Sequence, residues 1–179
     1  MKVTLIRHTS VDVPQGTCYG HTDVPVKASF PNEAALVKSN LAAFAPFDKV
    51  FCSPLMRAVK LATYCGYPDA QRDERLMEMN MGDWEMQLYD EITDPYYIQD
   101  WYNDYLHLPT PNGESFEMQL CRVSKFLDDL RQQPYENVAI FAHGGVLICA
   151  QVYAGVIPFD KAFSFNSITP YGGIVQIEI

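Results

Sequence analysis

The fold is decided near the start of the chain, by the stretch Lys2-Val3-Thr4-Leu5-Ile6-Arg7-His8. Its apolar, β-branched run predicts a short buried strand, and a cation and an imidazole follow at the end of that strand. A second apolar strand is predicted from Val138 to Ala142, and it ends in His143-Gly144-Gly145. Open α/β sheets bind ligands at the carboxyl ends of their strands. We therefore expect His8 and His143 to meet in one site.

The rest of the chain alternates between predicted strands and predicted helices. The predicted helices run from Asn32, as a cap, to Phe44, from Glu114 to about Gln133, and from Val146 to Ala154; further strands are predicted at 49–52 and 172–179. This alternation indicates an α/β fold with a mostly parallel sheet and helices on both faces. The length of 179 residues fits a single domain spanning 1–179.

The segment after the strand at 49–52 brings another candidate to the same edge. Ser53 is predicted to cap a helix that begins at Pro54, an arrangement favoured at helix starts. Arg57 then lies in the first turn, with its guanidinium directed toward the strand end. A solvated surface arginine is the alternative, since most arginines are exposed.

Composition and charge exclude several classes of function. The net charge of −9 argues against a surface for nucleic acid or anionic membrane. No signal peptide and no apolar run of membrane-spanning length is seen. The cysteines are five, an odd number, and none forms a Cys-x-x-Cys pair, so neither a disulfide framework nor a zinc site is indicated. We expect a cytoplasmic protein that uses no metal and no cofactor.

Residues 9–31 form a long irregular stretch directly after His8. Loops longer than about 12–15 residues are usually functional or disordered. We interpret this one as a substrate-facing loop that contributes Thr9, Tyr19, Gly20 and His21. The alternatives are a poorly ordered surface connection and, for His21 alone, an ordinary polar loop residue.

Glu78 is a candidate proton donor because it lies between Met77 and Met79. An apolar environment raises the pKa of a carboxyl group toward the range useful for acid catalysis. An exposed glutamate on a helix face is an equally good interpretation from the sequence. The aromatic and acidic segment at about 84–112 is predicted to be a helical insertion over the active site.

These residue types point to phosphoryl transfer. A phosphate dianion is bound well by planar, permanently charged guanidinium groups, which Arg7 and Arg57 supply. A neutral imidazole can attack phosphorus to form a phosphohistidine. A second, protonated histidine would balance charge on the equatorial oxygens, and N–H groups at Gly144 and Gly145 would add to this effect.

Four motifs, in order along nearly the whole chain, resemble those of the histidine phosphatase superfamily, in its phosphoglycerate-mutase-like branch. They are Arg7-His8, the segment 53–58 (Ser-Pro-Leu-Met-Arg-Ala), the segment 76–85 (Leu-Met-Glu-Met-Asn-Met-Gly-Asp-Trp-Glu) and His143-Gly144. The resemblance implies His8 as the phosphorylated nucleophile, Glu78 as the proton donor, and a phosphate pocket made by Arg7, Arg57 and His143. It also implies a single α/β domain without a metal.

Within that family, the loop at 18–26 and the segment 112–116, followed by Arg122 and Val123, resemble alpha-ribazole phosphatases of cobalamin nucleotide-loop synthesis. The resemblance implies alpha-ribazole 5′-phosphate as the substrate. Thr9 departs from the glycine that the superfamily usually has after Arg-His. Its hydroxyl can donate to a phosphate, while its branched side chain restricts the backbone.

Three other functions compete with this interpretation. One is a broad-specificity phosphatase acting on sugar phosphates or nucleotides. A phosphoglycerate mutase is disfavoured because those members of the family are typically longer. A non-catalytic module that binds phospho-ligands is disfavoured because the chain keeps both histidines, both arginines and Glu78. In each case the partner is a small phosphorylated molecule, and the oligomeric state is not indicated.

Overall fold

The computed structural model describes residues 1–93, 95–162 and 168–179. Its strands are β1 (Lys2–Arg7), β2 (Lys49–Cys52), β3 (Gln71–Arg72), β4 (Asn137–Ala142) and β5 (Ile174–Glu178). Its α-helices are α1 (Phe30–Leu41), α2 (Met56–Tyr64), α3 (Pro95–Asp104), α4 (Phe116–Arg131) and α5 (Gly144–Tyr153). Among the described residues, no helix has both the length and the apolar character needed to cross a membrane.

The strands form one sheet in the order β3-β2-β4-β1-β5. β4 pairs in parallel with both β1 and β2, and β2 pairs in parallel with β3. β5 pairs antiparallel with β1 at the edge of the sheet. The predicted α/β class and mostly parallel sheet are therefore confirmed.

The two faces of the sheet are covered by different helices. Val138 and Ile140 of β4 pack in one core with α4 and α5. Ala139 and Phe141 of the same strand pack in a second core with α1 and α2. Successive side chains of a strand point to opposite faces, so one continuous apolar run serves both cores.

Several predicted element boundaries are wrong by a few residues. Ser29, not Asn32, precedes α1, and Pro31 lies in its first turn, where a missing N–H costs nothing. Ser53 does not cap α2, which begins at Met56 after Leu55. α5 begins at Gly144, two residues before the predicted start at Val146. Its first two residues are glycines, which carry no apolar signal by which the sequence could mark them.

The segment predicted as an insertion contains the helix α3. Beneath it lies a third apolar cluster, built around the buried residues Cys18, Met79, Met81, Trp84 and Trp101. Trp84 and Trp101 meet edge to face, with ring centroids 5.3 Å apart. This aromatic contact joins α3 to the segment that carries Glu78. α3 is thereby held beside the carboxyl ends of the strands.

Candidate active site

Three adjacent strands deliver polar residues to the same edge of the sheet. His8 follows β1, His143 follows β4, and Ser53 follows β2. Arg7 pairs with Ala142 in the register of β1 and β4, so the two histidines lie side by side, with ring centroids 5.2 Å apart. The parallel register explains why the predicted meeting of His8 and His143 occurs.

His8 is buried, and a hydrogen bond to the backbone orients its ring. Its Nδ1 lies 2.7 Å from the carbonyl oxygen of Thr9. A carbonyl only accepts, so Nδ1 carries the proton and Nε2 keeps its lone pair. Burial, with the positive charge of Arg57, lowers the pKa of His8 to about 3. His8 is therefore a neutral imidazole at pH 7.

His143 is fully buried, and its Nε2 lies 2.7 Å from the Ser53 hydroxyl oxygen. Burial and the nearby Arg57 lower its pKa well below the usual value. Without a ligand His143 is therefore a neutral imidazole at pH 7, whereas the predicted protonated ring belongs to the complex with phosphate and stays a prediction. A phosphate dianion beside the ring would raise the pKa of His143, because it would offset the positive charge of Arg57 and favour the protonated ring.

Arg7 and Arg57 both lie close enough to His8 and His143 to lower the pKa values of the two histidines. Arg7 donates to the Thr169 carbonyl at 2.6 Å, and its guanidinium carbon lies 4.1 Å from the centre of the Tyr171 ring. It also lies against Gly144, since a methyl group there would be 3.4 Å from the same carbon. The predicted placement of Arg57 in the first turn of α2 is confirmed, but Arg57 is fully buried and not a surface residue.

The side chains around His8 hold polar atoms that the fold itself does not use. Among the described residues, the buried atoms Arg7 Nε, Thr9 Oγ1, Arg57 Nε and His143 Nδ1 have no hydrogen-bond partner. Buried polar groups are normally paired, and unpaired ones cluster at functional sites. Two of these atoms are guanidinium N–H donors, a hydroxyl can donate as well, and the group as a whole suits a tetrahedral anion.

Glu78 is fixed against the start of α5. Its Oε2 accepts from the Gly145 N–H at 3.1 Å, and its Oε1 accepts from the Gln119 amide at 3.0 Å and from the Met79 N–H at 3.0 Å. A methyl group on Gly145 would lie 2.3 Å from Glu78 Oε1, so a side chain at this position would displace Glu78 and Gln119 from their present places. Glu78 is half-buried and faces the site, unlike the exposed helix residue of the alternative interpretation.

A cavity of about 690 Å³ opens beside these groups. Arg7, His8, Glu78 and Tyr19 line it, so four of the predicted site residues share one space. The rest of its wall is largely aromatic and apolar, and consists of Met79, Met81, Tyr89, Trp101, Tyr102 and Tyr105, with Thr17, Gln119 and Gly145. Its volume lies in the range of about 300–1,000 Å³ typical of small-molecule sites.

The remaining predicted residues of the loop lie outside the lining of this cavity. The Gly20 carbonyl accepts from Arg57 Nη2 at 2.6 Å, so Gly20 contacts Arg57 without lining the cavity. His21 lies near Glu114 and Arg122, and burial lowers its pKa. Thr9 contributes the carbonyl that orients His8.

Sequence reasoning assigned no site role to Ser53, Gln119 and Tyr171, which contact predicted site residues, or to Glu85, whose carboxylate binds the N–H groups of residues 20–22. Only Glu85 lay inside a quoted motif without being assigned any role, while Ser53 was assigned to a helix cap. Tyr171 lies in a turn far from His8 in sequence; its ring is tilted by 47° to that of His8, with centroids 5.5 Å apart, and its hydroxyl oxygen lies 2.8 Å from that of Tyr19. Among the described residues, no group of three or more His, Cys, Asp or Glu side chains could hold a metal ion.

Comparison with known proteins agrees with this geometry. The family model described as histidine phosphatase superfamily (branch 1) matches residues 3–179. The adenosylcobalamin/alpha-ribazole phosphatase of Escherichia coli K12 is 33% identical over 155 residues, which are 82% of this chain and 75% of that protein.

Solved structures agree as well. The alpha-ribazole phosphatase from Shigella flexneri superposes with a TM-score of 0.87 at 28% identity, covering 100% of this chain and 91% of that one. A phosphoglycerate mutase from Thermus thermophilus superposes with a TM-score of 0.78 at 26% identity, covering 99% of this chain and 93% of that one. This chain belongs to the histidine phosphatase superfamily, branch 1, and is a histidine-dependent phosphatase.

Proposed function

We propose that the protein removes the phosphate from alpha-ribazole 5′-phosphate, or from a closely similar nucleotide with an apolar, planar base, in cobalamin nucleotide-loop synthesis. The observation that carries this proposal is the aromatic wall of the 690 Å³ cavity, directly beside His8. Tyr89, Trp101, Tyr102 and Tyr105 offer ring faces and edges to the alcohol portion of the ester. The names of the curated relatives support the same substrate.

In the proposed reaction, the free Nε2 of His8 attacks phosphorus, and the bond from phosphorus to the ester oxygen breaks. Arg7 and Arg57 bind the equatorial oxygens, while His143 and the N–H of Gly144 complete the phosphate pocket. Glu78 gives its proton to the departing alkoxide. In the second half, the Glu78 carboxylate takes a proton from water, which attacks phosphohistidine and releases inorganic phosphate.

The segment 84–112 belongs to this proposal as the part of the chain that covers the active site and selects the alcohol. Tyr19 lines the cavity, and its ring centre lies 5.4 Å from the guanidinium carbon of Arg57, so in this proposal it contacts the substrate near the phosphate. Thr9, Gly20 and His21 lie outside the lining and would act on the substrate indirectly. We also place the protein in the cytoplasm, because its five cysteines are all free thiols, as a reducing compartment keeps them.

A substrate panel tests the proposal. We expect kcat/KM for alpha-ribazole 5′-phosphate to exceed, by orders of magnitude, the values for 3-phosphoglycerate, sugar phosphates and common nucleotides. A flat profile across the panel would instead favour a broad-specificity phosphatase. Efficient interconversion of phosphoglycerates, without net release of phosphate, would favour a mutase.

The nucleophile is tested with His8→Ala. We expect turnover to fall to the background rate, because His143, the other histidine at the phosphate pocket, is held by the Ser53 hydroxyl and is not oriented as His8 is. The acid-labile phosphoprotein that the wild type forms from ³²P-labelled substrate should be absent in this variant. Retained turnover, or labelling of the variant, would contradict the assignment of His8.

A further inference from the structure

The carboxylate of Glu85 binds a row of backbone N–H groups. Its Oε1 accepts from His21 at 2.7 Å and from Met81 at 3.1 Å. Its Oε2 accepts from Gly20 at 3.0 Å and from Thr22 at 3.1 Å. Three consecutive residues of the loop therefore point their N–H groups at one side chain, which orients the backbone from residue 20 to residue 22.

The same stretch of backbone presents carbonyl groups to Arg57. Its Nη2 donates to the Gly20 carbonyl at 2.6 Å, and its Nη1 donates to the Thr22 carbonyl at 2.9 Å. Residues 20–22 thus lie between Glu85 and Arg57, with N–H groups bound to the carboxylate and carbonyl groups bound to the guanidinium. The peptide group between Gly20 and His21 makes both kinds of bond, its carbonyl to Arg57 and its N–H to Glu85, so each bond polarises this group in the sense that strengthens the other.

This indirect arrangement suits a phosphate-binding arginine. Arg57 is fully buried, and among the described residues it forms no salt bridge with a carboxylate. A carboxylate in direct contact would stabilise the buried charge but would compete with a phosphate for the same donors. Neutral carbonyls orient the guanidinium and leave its charge for the ligand, while Glu85 supplies compensating negative charge one peptide group away.

We propose that Glu85 is a positioning residue, which holds Arg57 in its phosphate-binding orientation through the backbone of residues 20–22. The inference rests on the phosphate role proposed for Arg57. The close approach of the loop to Glu85 also depends on glycine at position 20. A side chain on Gly20 would overlap the Met79 carbonyl and push the loop away from Glu85.

The test is Glu85→Gln, assayed with p-nitrophenyl phosphate and with inorganic phosphate as a competitive inhibitor. A glutamine has one acceptor oxygen, and its NH₂ group would face N–H donors. We expect the KM and the inhibition constant of phosphate to rise together by about tenfold, the effect of losing roughly 1.4 kcal/mol of binding, with kcat changed less. An unchanged inhibition constant would overturn the proposal.

Glu33→Gln is the matched control. Glu33 accepts from the Ser10 N–H at 2.9 Å and from the Ser29 hydroxyl at 2.6 Å, so it braces the same loop through contacts that do not include Arg57. We expect wild-type phosphate inhibition in this variant. An equal rise in the inhibition constant would mean that general loosening of the loop, and not support of Arg57, explains the Glu85 result.

A double-mutant cycle with Arg57→Ala separates the two proposals. If Glu85 acts through Arg57, Glu85→Gln adds no further weakening in the Arg57→Ala background. Full additivity would overturn the role of Glu85, whereas wild-type phosphate inhibition in Arg57→Ala alone would overturn the phosphate role of Arg57. If Glu85→Gln does not fold, Glu85→Asp replaces it in the same cycle. Aspartate keeps the charge but has a shorter side chain, so we expect a smaller rise in the inhibition constant of phosphate.

Discussion

The chemistry of the site depends on which nitrogen of His8 carries a proton. The Thr9 carbonyl binds Nδ1, and burial keeps the ring neutral, so Nε2 is available as a nucleophile without an auxiliary base. The glycine usual in the superfamily at this position would supply the same carbonyl. The hydrogen bond uses the backbone, which explains how threonine can stand there.

The proton-donor role that we propose for Glu78 predicts a dependence on the leaving group. We expect Glu78→Gln to lower kcat/KM for an alkyl phosphate, such as glycerol 3-phosphate, by about 10²–10⁴-fold, the usual contribution of a general acid. The loss for p-nitrophenyl phosphate should be far smaller, because its leaving group departs without a proton. kcat/KM is the proper measure here, since it does not include hydrolysis of the phosphohistidine.

Glu117→Gln controls for the change in charge. Glu117 lies in the first turn of α4 and is exposed, so both kcat/KM values should stay at the wild-type level. Equal losses for the two esters in Glu78→Gln would move the acid role to another group.

Among the elements, α3 brings Trp101 and Tyr102 to the cavity, and we propose that these rings contact the alcohol portion of the substrate. Stacking of an aromatic side chain on a base is worth about 1–3 kcal/mol. We therefore expect Tyr102→Ala to raise the KM for alpha-ribazole 5′-phosphate by about tenfold, and to leave glycerol 3-phosphate unaffected. Steady-state kinetics on both esters measure the difference.

Tyr64→Ala is the control for that substitution. Tyr64 is 39% exposed and Tyr102 is 49% exposed, but Tyr64 lies on α2, outside the residues that line the cavity. It should leave both KM values unchanged. A parallel rise for both esters in Tyr102→Ala would mean that α3 supports the phosphate pocket and does not select the alcohol.

The antiparallel direction of β5 places the turn before it at the active site. β5 runs antiparallel to β1, and Ile174 pairs with Ile6. The turn before β5 therefore lies at the carboxyl end of β1, where the Thr169 carbonyl and the Tyr171 ring contact Arg7. A parallel β5 would place that turn at the opposite edge of the sheet.

For the whole molecule, the buried histidines make stability depend on pH. The pKa of His8 is about 3 in the folded chain, below its usual value of 6.5. Below pH 6.5 the unfolded chain binds a proton that the folded chain does not, so stability is full above pH 6.5 and is lost as the pH falls. Between pH 6.5 and 5, His8 alone accounts for up to about 2 kcal/mol.

Urea unfolding at pH 7.5, 6.5, 5.5 and 5.0, in phosphate-free buffer, measures this loss. We expect the free energy of unfolding of His8→Asn to fall less steeply over this range than that of the wild type. Some slope should remain, because the pKa of His143 is also lowered. Carboxylates with lowered pKa values, such as Glu85 and Glu114, act mainly below about pH 4.5 and do not obscure the comparison. Identical slopes would contradict a buried, neutral His8.

Much of the fold and the centre of the site could be predicted from local pattern. Apolar runs mark the strands, and His8, His143 and Arg57 each lie within a few residues of a strand end, so parallel pairing alone brings them together. Element boundaries were less accurate. Ser53 stands before a proline, a pattern typical of a helix cap, but its hydroxyl forms a hydrogen bond with His143. The local pattern alone does not distinguish these two roles.

What the sequence by itself determined is the class of fold, the order of the motifs and the chemistry that they can perform, because these depend on residues close together along the chain. Only the tertiary structure decided that Tyr171 covers Arg7, that Gln119 holds Glu78, and that Glu85 reaches residues 20–22. Those contacts join segments far apart in sequence. They depend on strand direction, on the register of the sheet and on how the loops pack above it. A pattern of neighbouring residues in the sequence does not predict these three features.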